Sequence, residues 1–342
     1  GGLVNTKPSL LLEPQSTNLI TYSENFADSS WNLINATISN NYTSPDGQTN
    51  AFKLKENTTN GSHYVFAYSQ THNGVYSIFA KKNGRNHILL TSHGSSSPEA
   101  RGQYFDLDNG TVGTGGSATG KIEDFGNGWF RCSIEPNSPS SLFTIMLADS
   151  DGNFSYTGND KDGVLIFGAQ NEDLSYLTSY IPTNGSTQTR AAETCNGAGT
   201  SSIFEDSEGI LYCEIAALAD DLSFRIISIS DGSNDNIIKL GYRSDSNNIY
   251  YEVRSGAASQ AFQKYTSSDI TQFHKVAVKY KANDFAMWVN GTQVLSDTSG
   301  STPTGFNDLS FALGGSASIF YGKIRDIRVY NTKEMTDSEV DI

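Results

Sequence analysis

Short apolar runs, each ended within a few residues by a glycine-bearing turn, recur along all 342 residues of the chain. Nowhere do eleven residues sustain the i, i+3, i+4 apolar series of a helix. Residues 75–80 mix β-branched and aromatic side chains, and the run breaks at Asn83-Gly84. Residues 103–107 stop at Asp108-Asn109-Gly110 before Thr111-Val112, and residues 129–134 follow Asn127-Gly128. Asn-Gly supplies the positive φ values that a tight hairpin needs. Residues 141–148 and 164–169 complete this first series, which predicts a β-sandwich. A second series starts at Glu208 and runs through 210–216, 224–229, 237–242 and 249–253. It continues with 275–280 and 285–289, joined by Lys281-Ala-Asn-Asp284, and closes with 309–313 and 324–330.

The fold class this predicts is all-β, with two antiparallel β-sandwich (jelly-roll) domains in tandem. Two domains also suit the length, since single cores rarely grow past about 250 residues. The boundaries fall at 1–192 and 208–342. A linker over 193–207 carries Asn196-Gly-Ala-Gly-Thr-Ser-Ser202 and little that can be buried, but the less flexible composition of residues 190–195 points to a connection packed along its length. The one helical signal is terminal, the capping-box sequence Thr336-Asp-Ser-Glu339. The chain begins Gly1-Gly2 without Met or a signal peptide, and so reads as a processed product or a fragment.

Lys and Arg number 23 against 37 Asp and Glu, a net charge of −14. A polyanion would be repelled, and no basic stripe offsets this, so nucleic acid is not an expected partner. No apolar run approaches the length of a membrane-spanning helix, and membrane insertion is not expected. Cys132, Cys195 and Cys213 show neither disulfide-framework nor metal spacing, and read as small core or linker residues. Histidines 63, 72, 87, 93 and 274 form no metal-binding motif, and no Gly-x-Ser-x-Gly elbow is present. A glycosidase needs two carboxylates across a cleft, and the sequence singles out no such pair. No catalytic residue is assigned. Calcium is the one cofactor considered: Asp149, Asp151 and Asn153 place oxygen ligands at alternate positions around a glycine turn.

Sugar binding needs an aromatic face with fixed polar groups beside it. Strand alternation turns Ile249, Tyr251 and Val253 inward and Tyr250, Glu252 and Arg254 outward. By the same rule Lys239 and Arg243 face outward, with Leu240 and Tyr242 inward. Val276, Val278 and Tyr280 match Phe285, Met287 and Val289 across the hairpin, which leaves Trp288 on the polar face among lysines. Trp288 is a candidate glycan platform, although the reading that loops or the first domain cover it is the favoured one. Trp31, after a Ser-Ser loop, is read as exposed. The candidate glycan-binding residues are therefore Trp31, Tyr250, Arg254, Arg243 and Trp288. Tyr64, Phe66 and Tyr68 form a period-two stripe read as sandwich core, and Trp129 is read as a core anchor.

Three blocks carry a resemblance. They are residues 8–26 (PSLLLEPQSTNLITYSENF), Asn127-Gly-Trp-Phe-Arg-Cys132, and Phe167-Gly-Ala-Gln170 with Thr178-Ser-Tyr-Ile-Pro-Thr183 and Thr189-Arg190. Together they resemble the carbohydrate-binding-module-like jelly roll of bacteriophage tail and virion-surface proteins. Lys279-Tyr280, Trp288-Val-Asn-Gly291, Phe320-Tyr-Gly-Lys-Ile324 and Val329-Tyr330 resemble a laminin-G or concanavalin-like jelly roll. The resemblance implies a non-enzymatic tail-fibre or head-decoration protein on the virion surface, outside the cell. Its implied partners are host-surface or extracellular polysaccharide, other virion proteins and a second copy of itself. Two alternatives stand beside it: a structural virion or filament subunit without glycan binding, and an accessory binding region of a secreted polysaccharide-degrading enzyme.

Overall fold

The structure is a computed structural model that describes residues 8–92, 97–314 and 317–331. The expected capping box at Thr336 and the histidine at position 93 lie outside the described residues. The chain is all-β and divides into two compact units.

The unit Gln15–Ala191 is a sandwich of two six-stranded antiparallel sheets. One runs, in spatial order, Thr111–Gly115, Gly102–Asp106, His87–Thr91, Ser140–Ala148, Tyr64–His72 and Trp31–Ile34. The other runs Thr119–Asp124, Phe130–Glu135, Val75–Asn83, Gly163–Glu172, Ala51–Glu56 and Ala36–Tyr42. Alternation decides what each strand buries. Tyr76, Ile78 and Ala80 from one sheet meet Phe143, Ile145 and Leu147 from the other in the main core. Asn127 and Gly128 both take positive φ and return the chain into Phe130–Glu135.

The second unit holds a six-stranded and a five-stranded antiparallel sheet. The first orders Leu10–Leu12, Gly322–Tyr330, Glu208–Ala217, His274–Lys281, Phe285–Val289 and Thr292–Asp297. The second orders Ala258–Thr266, Asn248–Ser255, Ile237–Tyr242, Arg225–Ser230 and Asp308–Ser310. Val276 pairs with Val289 and Val278 with Met287, and all four enter the core with Leu240, Tyr242, Tyr251 and Val253. Asn290 and Gly291, both at positive φ, make a two-residue hairpin between Val289 and Thr292.

One expected boundary needs correction. Leu10 pairs with Ile324 and Leu12 with Gly322, so residues 8–14 belong to the second sandwich and not the first. The connection over 193–207 is packed against the second sandwich, as its composition suggests. The Glu13 N–H donates to the Glu193 carboxylate, the Phe311 N–H donates to the Cys195 carbonyl, and Phe204 is buried in the second core. Such packing is what the composition of residues 190–195 points to, and its anchors are backbone groups and one ring.

Candidate functional site

The outer face of the five-stranded sheet carries the most distinctive site. In Ile237–Tyr242, Asn248–Ser255 and Ala258–Thr266, every second residue turns away from the core. The register then sets Lys239 opposite Glu252, Gly241 opposite Tyr250, and Glu252 opposite Phe262. Lys239 Nζ lies 2.8 Å from Glu252 Oε2, and both side chains are largely buried. Gly241 puts no side chain between Lys239 and Arg243. A Cβ there would stand 1.9 Å from the Arg225 carbonyl oxygen, so only glycine fits. The result is a depression of about 310 Å³ lined by Phe224, Lys239, Arg243, Tyr250, Glu252 and Leu313, among others.

Arg243 is the centre of this face. Its guanidinium carbon lies 4.8 Å from the Phe262 ring centroid and 5.3 Å from those of Phe224 and Tyr250. Three rings hold the cation electrostatically, since each ring face is negative. Its Nε–H is buried without a hydrogen-bond partner, an unmet donor in a place where one normally costs free energy. Burial pushes the Tyr250 hydroxyl pKa well above its ordinary value, so the phenol stays neutral. Phe224 and Phe262 remain 43% and 41% exposed, and Phe262 also has the Lys264 ammonium 5.8 Å from its ring centroid.

The structure brings Tyr250 and Arg243 together as alternation predicted. Tyr250, however, is only 2% exposed and serves as floor rather than platform. Arg254 shares the face but not the depression, and its guanidinium donates to the Ala257 carbonyl. Phe224 and Phe262, the partly exposed rings, were missed. Phe262 sits on a strand whose alternation of Ala, Gln, Lys and Ser is too polar to announce itself.

Two expected platforms are corrected. Trp31 is 5% exposed: its indole N–H donates to the Tyr22 carbonyl and its ring packs 4.8 Å from Phe26. Trp288 does face away from the core, opposite Ala277, yet it is 5% exposed among Ile210, Tyr212, Ala277 and Ala286. Lys279 Nζ sits 6.0 Å from its ring centroid. The stripe Tyr64, Phe66, Tyr68 errs the other way. Val65 and Ala67 are the core residues of that strand, and Tyr68 stands 69% exposed with Phe66 edge-on at 5.6 Å. Aromatic period-two spacing names a face without saying which one.

Asp149, Asp151 and Asn153 lie in a tight turn after Ser140–Ala148. The Asp151 carboxylate is taken by the Thr114 N–H at 2.8 Å and the Thr114 hydroxyl at 2.9 Å. Among the described residues, no group of three or more His, Cys, Asp or Glu is placed to hold a metal ion. The three cysteines are free thiols.

The sequence blocks of the first unit converge on one buried clasp. Asn18 Nδ2 donates to the carbonyls of Ala169 (3.0 Å) and Ile181 (2.8 Å). Its Oδ1 accepts from the N–H groups of Ile20 and Asn171 (both 3.1 Å). Gln170 Oε1 accepts from the Ile181 N–H, and the Thr183 hydroxyl donates to the Ile20 carbonyl. Arg131 donates to the Thr178 carbonyl at 2.8 Å. The three blocks therefore close the sandwich and hold its first and last segments together.

Comparison with known proteins bears on the second unit. Residues 215–341 match a laminin-G-type family model described as the Concanavalin A-like lectin/glucanases superfamily. No curated protein matches the chain. Among solved structures, one of NanB plus Optactamide is similar at 15% identity and a TM-score of 0.34, over 43% of this chain and 27% of that one. The domains LG4-5 of the mouse laminin alpha1 chain are similar at 11% identity and a TM-score of 0.30, over 81% of this chain and 89% of that one. This chain thus spans about a quarter of the NanB chain.

Proposed function

We propose that the protein binds glycans without cleaving them, and that the depression around Arg243 is its principal contact. The observation that carries this reading is the buried, unpartnered Nε–H of a guanidinium held by three rings, two of which, Phe224 and Phe262, stay partly exposed. Sugar C–H faces pack on Phe224 and Phe262, while Arg243 donates to ring or hydroxyl oxygens. The family match over 215–341 supports a lectin-like role for the unit that holds the site. The single carboxylate lining the depression, Glu252, is neutralised by Lys239, which suits binding rather than two-carboxylate hydrolysis. Among the described residues no helix is long and apolar enough to cross a membrane. The resemblance of residues 8–26 to phage tail and virion-surface proteins supports a place on a virion, facing host-surface or extracellular polysaccharide.

A glycan-array screen tests the reading. The expected result is retention of at least one glycan class by the full chain, lost in Arg243→Ala and Phe262→Ala, with no reducing or unsaturated ends released. Retention that survives both substitutions, or product release, overturns it.

A further inference from the structure

The charges that line the depression around Arg243 do not balance. Lys239 and Glu252 neutralise each other across paired strands at 2.8 Å. That leaves Arg243 as the one uncompensated charge among the lining residues. The acids on the flanking turns are engaged elsewhere. Asp245 is held by Lys264 Nζ at 2.6 Å and Asp221 by Arg225, while Asp220 accepts from the Ser246 hydroxyl and the Asn247 N–H. Among the described residues Arg243 has no carboxylate partner and no hydrogen-bond acceptor. Of its three nitrogens only Nε is shut off from solvent, so the two terminal amino groups are accessible as well as unpartnered. Phe224, Tyr250 and Phe262 lie against the guanidinium and fix its place. Their ring faces attract the cation but neutralise no charge.

We infer, resting on the glycan-binding reading of this depression, that its ligand is an acidic glycan whose carboxylate is gripped by the two terminal amino groups of Arg243. A neutral sugar that covers the depression strips water from a cation and returns no countercharge, which costs free energy. A carboxylate supplies the countercharge together with two acceptors in one plane, the match of the guanidinium fork. The same lining offers the Ser318 hydroxyl and the Lys239 ammonium to neighbouring sugar hydroxyls. One uncompensated cation takes one anion. The chain as a whole carries −14, so it repels a densely charged polymer, whereas charges more than about 8 Å away are screened at physiological salt. The ligand class is therefore a polysaccharide in which carboxylated sugars are spaced by neutral ones.

The test is binding of the full chain to immobilised polysaccharides in matched pairs, native and with every carboxylate reduced to a primary alcohol. Hyaluronan, unsulfated chondroitin and gellan carry carboxylated sugars spaced by neutral ones. Polygalacturonate is the densely charged comparator, and dextran sulfate and dextran are the sulfated and uncharged ones. At least one spaced polymer is held about tenfold or more tightly in its native form than in its reduced form, the worth of a hydrogen-bonded charge pair. Polygalacturonate and dextran sulfate are held more weakly. Arg243→Gln abolishes the preference for the native form. Glu252→Gln frees Lys239 and strengthens binding of the native form alone, a gain that misfolding cannot mimic. Arg243-dependent retention that is equal for native and reduced forms, or that favours dextran sulfate, overturns this inference and leaves the glycan-binding reading standing. Retention of an acidic polymer that survives Arg243→Gln, or of no polymer at all, overturns both.

Discussion

Replacing Asn18 by Ala tests whether the opening sequence block is a structural clasp. The Asn18 side chain is fully buried and uses its whole hydrogen-bonding capacity, two donors and two accepting lone pairs. Alanine leaves two carbonyls and two N–H groups without partners in the interior. At about 1 kcal/mol for each net bond the loss is about 4 kcal/mol, and it grows if water fails to reach the orphaned groups. Asn18→Asp keeps the shape but loses both donations and sets a carboxylate against two carbonyls, so it is at least as damaging. Urea unfolding of the full chain, followed by Trp31 and Trp129 fluorescence, reads the first unit. With m of about 2 kcal/mol per M, the midpoint falls by roughly 2 M. Glycan retention through Arg243 persists below that transition. A shift under about 0.5 M, or selective loss of glycan binding with stability intact, would refute the clasp.

Further predictions follow from the same geometry. Glu56 accepts from Arg85 twice, from the Tyr156 hydroxyl and from the Asn159 N–H, all within 3.0 Å. Burial pushes its pKa up, but these donors outweigh it and hold the carboxyl below its ordinary range. Its stabilisation is therefore complete above about pH 4.5 and lost as pH falls through the lowered value. Glu56→Gln costs about 3 kcal/mol at neutral pH, and the difference from the parent shrinks toward pH 3 in paired melting curves. Trp288→Ala loses about 3–5 kcal/mol, as for a buried ring, whereas Tyr68→Ser stays within about 0.5 kcal/mol; chemical denaturation distinguishes them. Gly241→Ala forces its strand off the Arg225 carbonyl, so it lowers the melting temperature and weakens glycan retention together.

How much of this the sequence revealed depends on which force placed each residue. Inward alternation in the second unit was legible, because Val276, Val278, Phe285, Met287 and Val289 are strongly apolar against lysines, and the core takes them all. Asn127-Gly128 likewise announced its turn, since few other pairs accept two positive φ values. Exposure was not legible. The Ser-Ser loop before Trp31 points to an open ring, yet a large ring on an outer face is covered whenever other side chains and loops reach it, as the competing reading of Trp288 holds. The site itself was half visible. Tyr250 and Arg243 share a face by strand parity alone, but Phe224 and Phe262 come to Arg243 only through the pairing order, which local pattern does not carry. The N-terminal strand was misplaced for the same reason: its partner Gly322–Tyr330 lies some three hundred residues away.

The reading of the protein as a glycan binder stands most directly on Arg243. Recording the Nε–H resonance of Arg243 while adding the glycan that the array retains would show whether that buried donor is waiting for a ligand. A saturable shift of that signal, abolished by Phe262→Ala, is the predicted result. An Nε–H signal indifferent to a glycan that the protein demonstrably holds would contradict it.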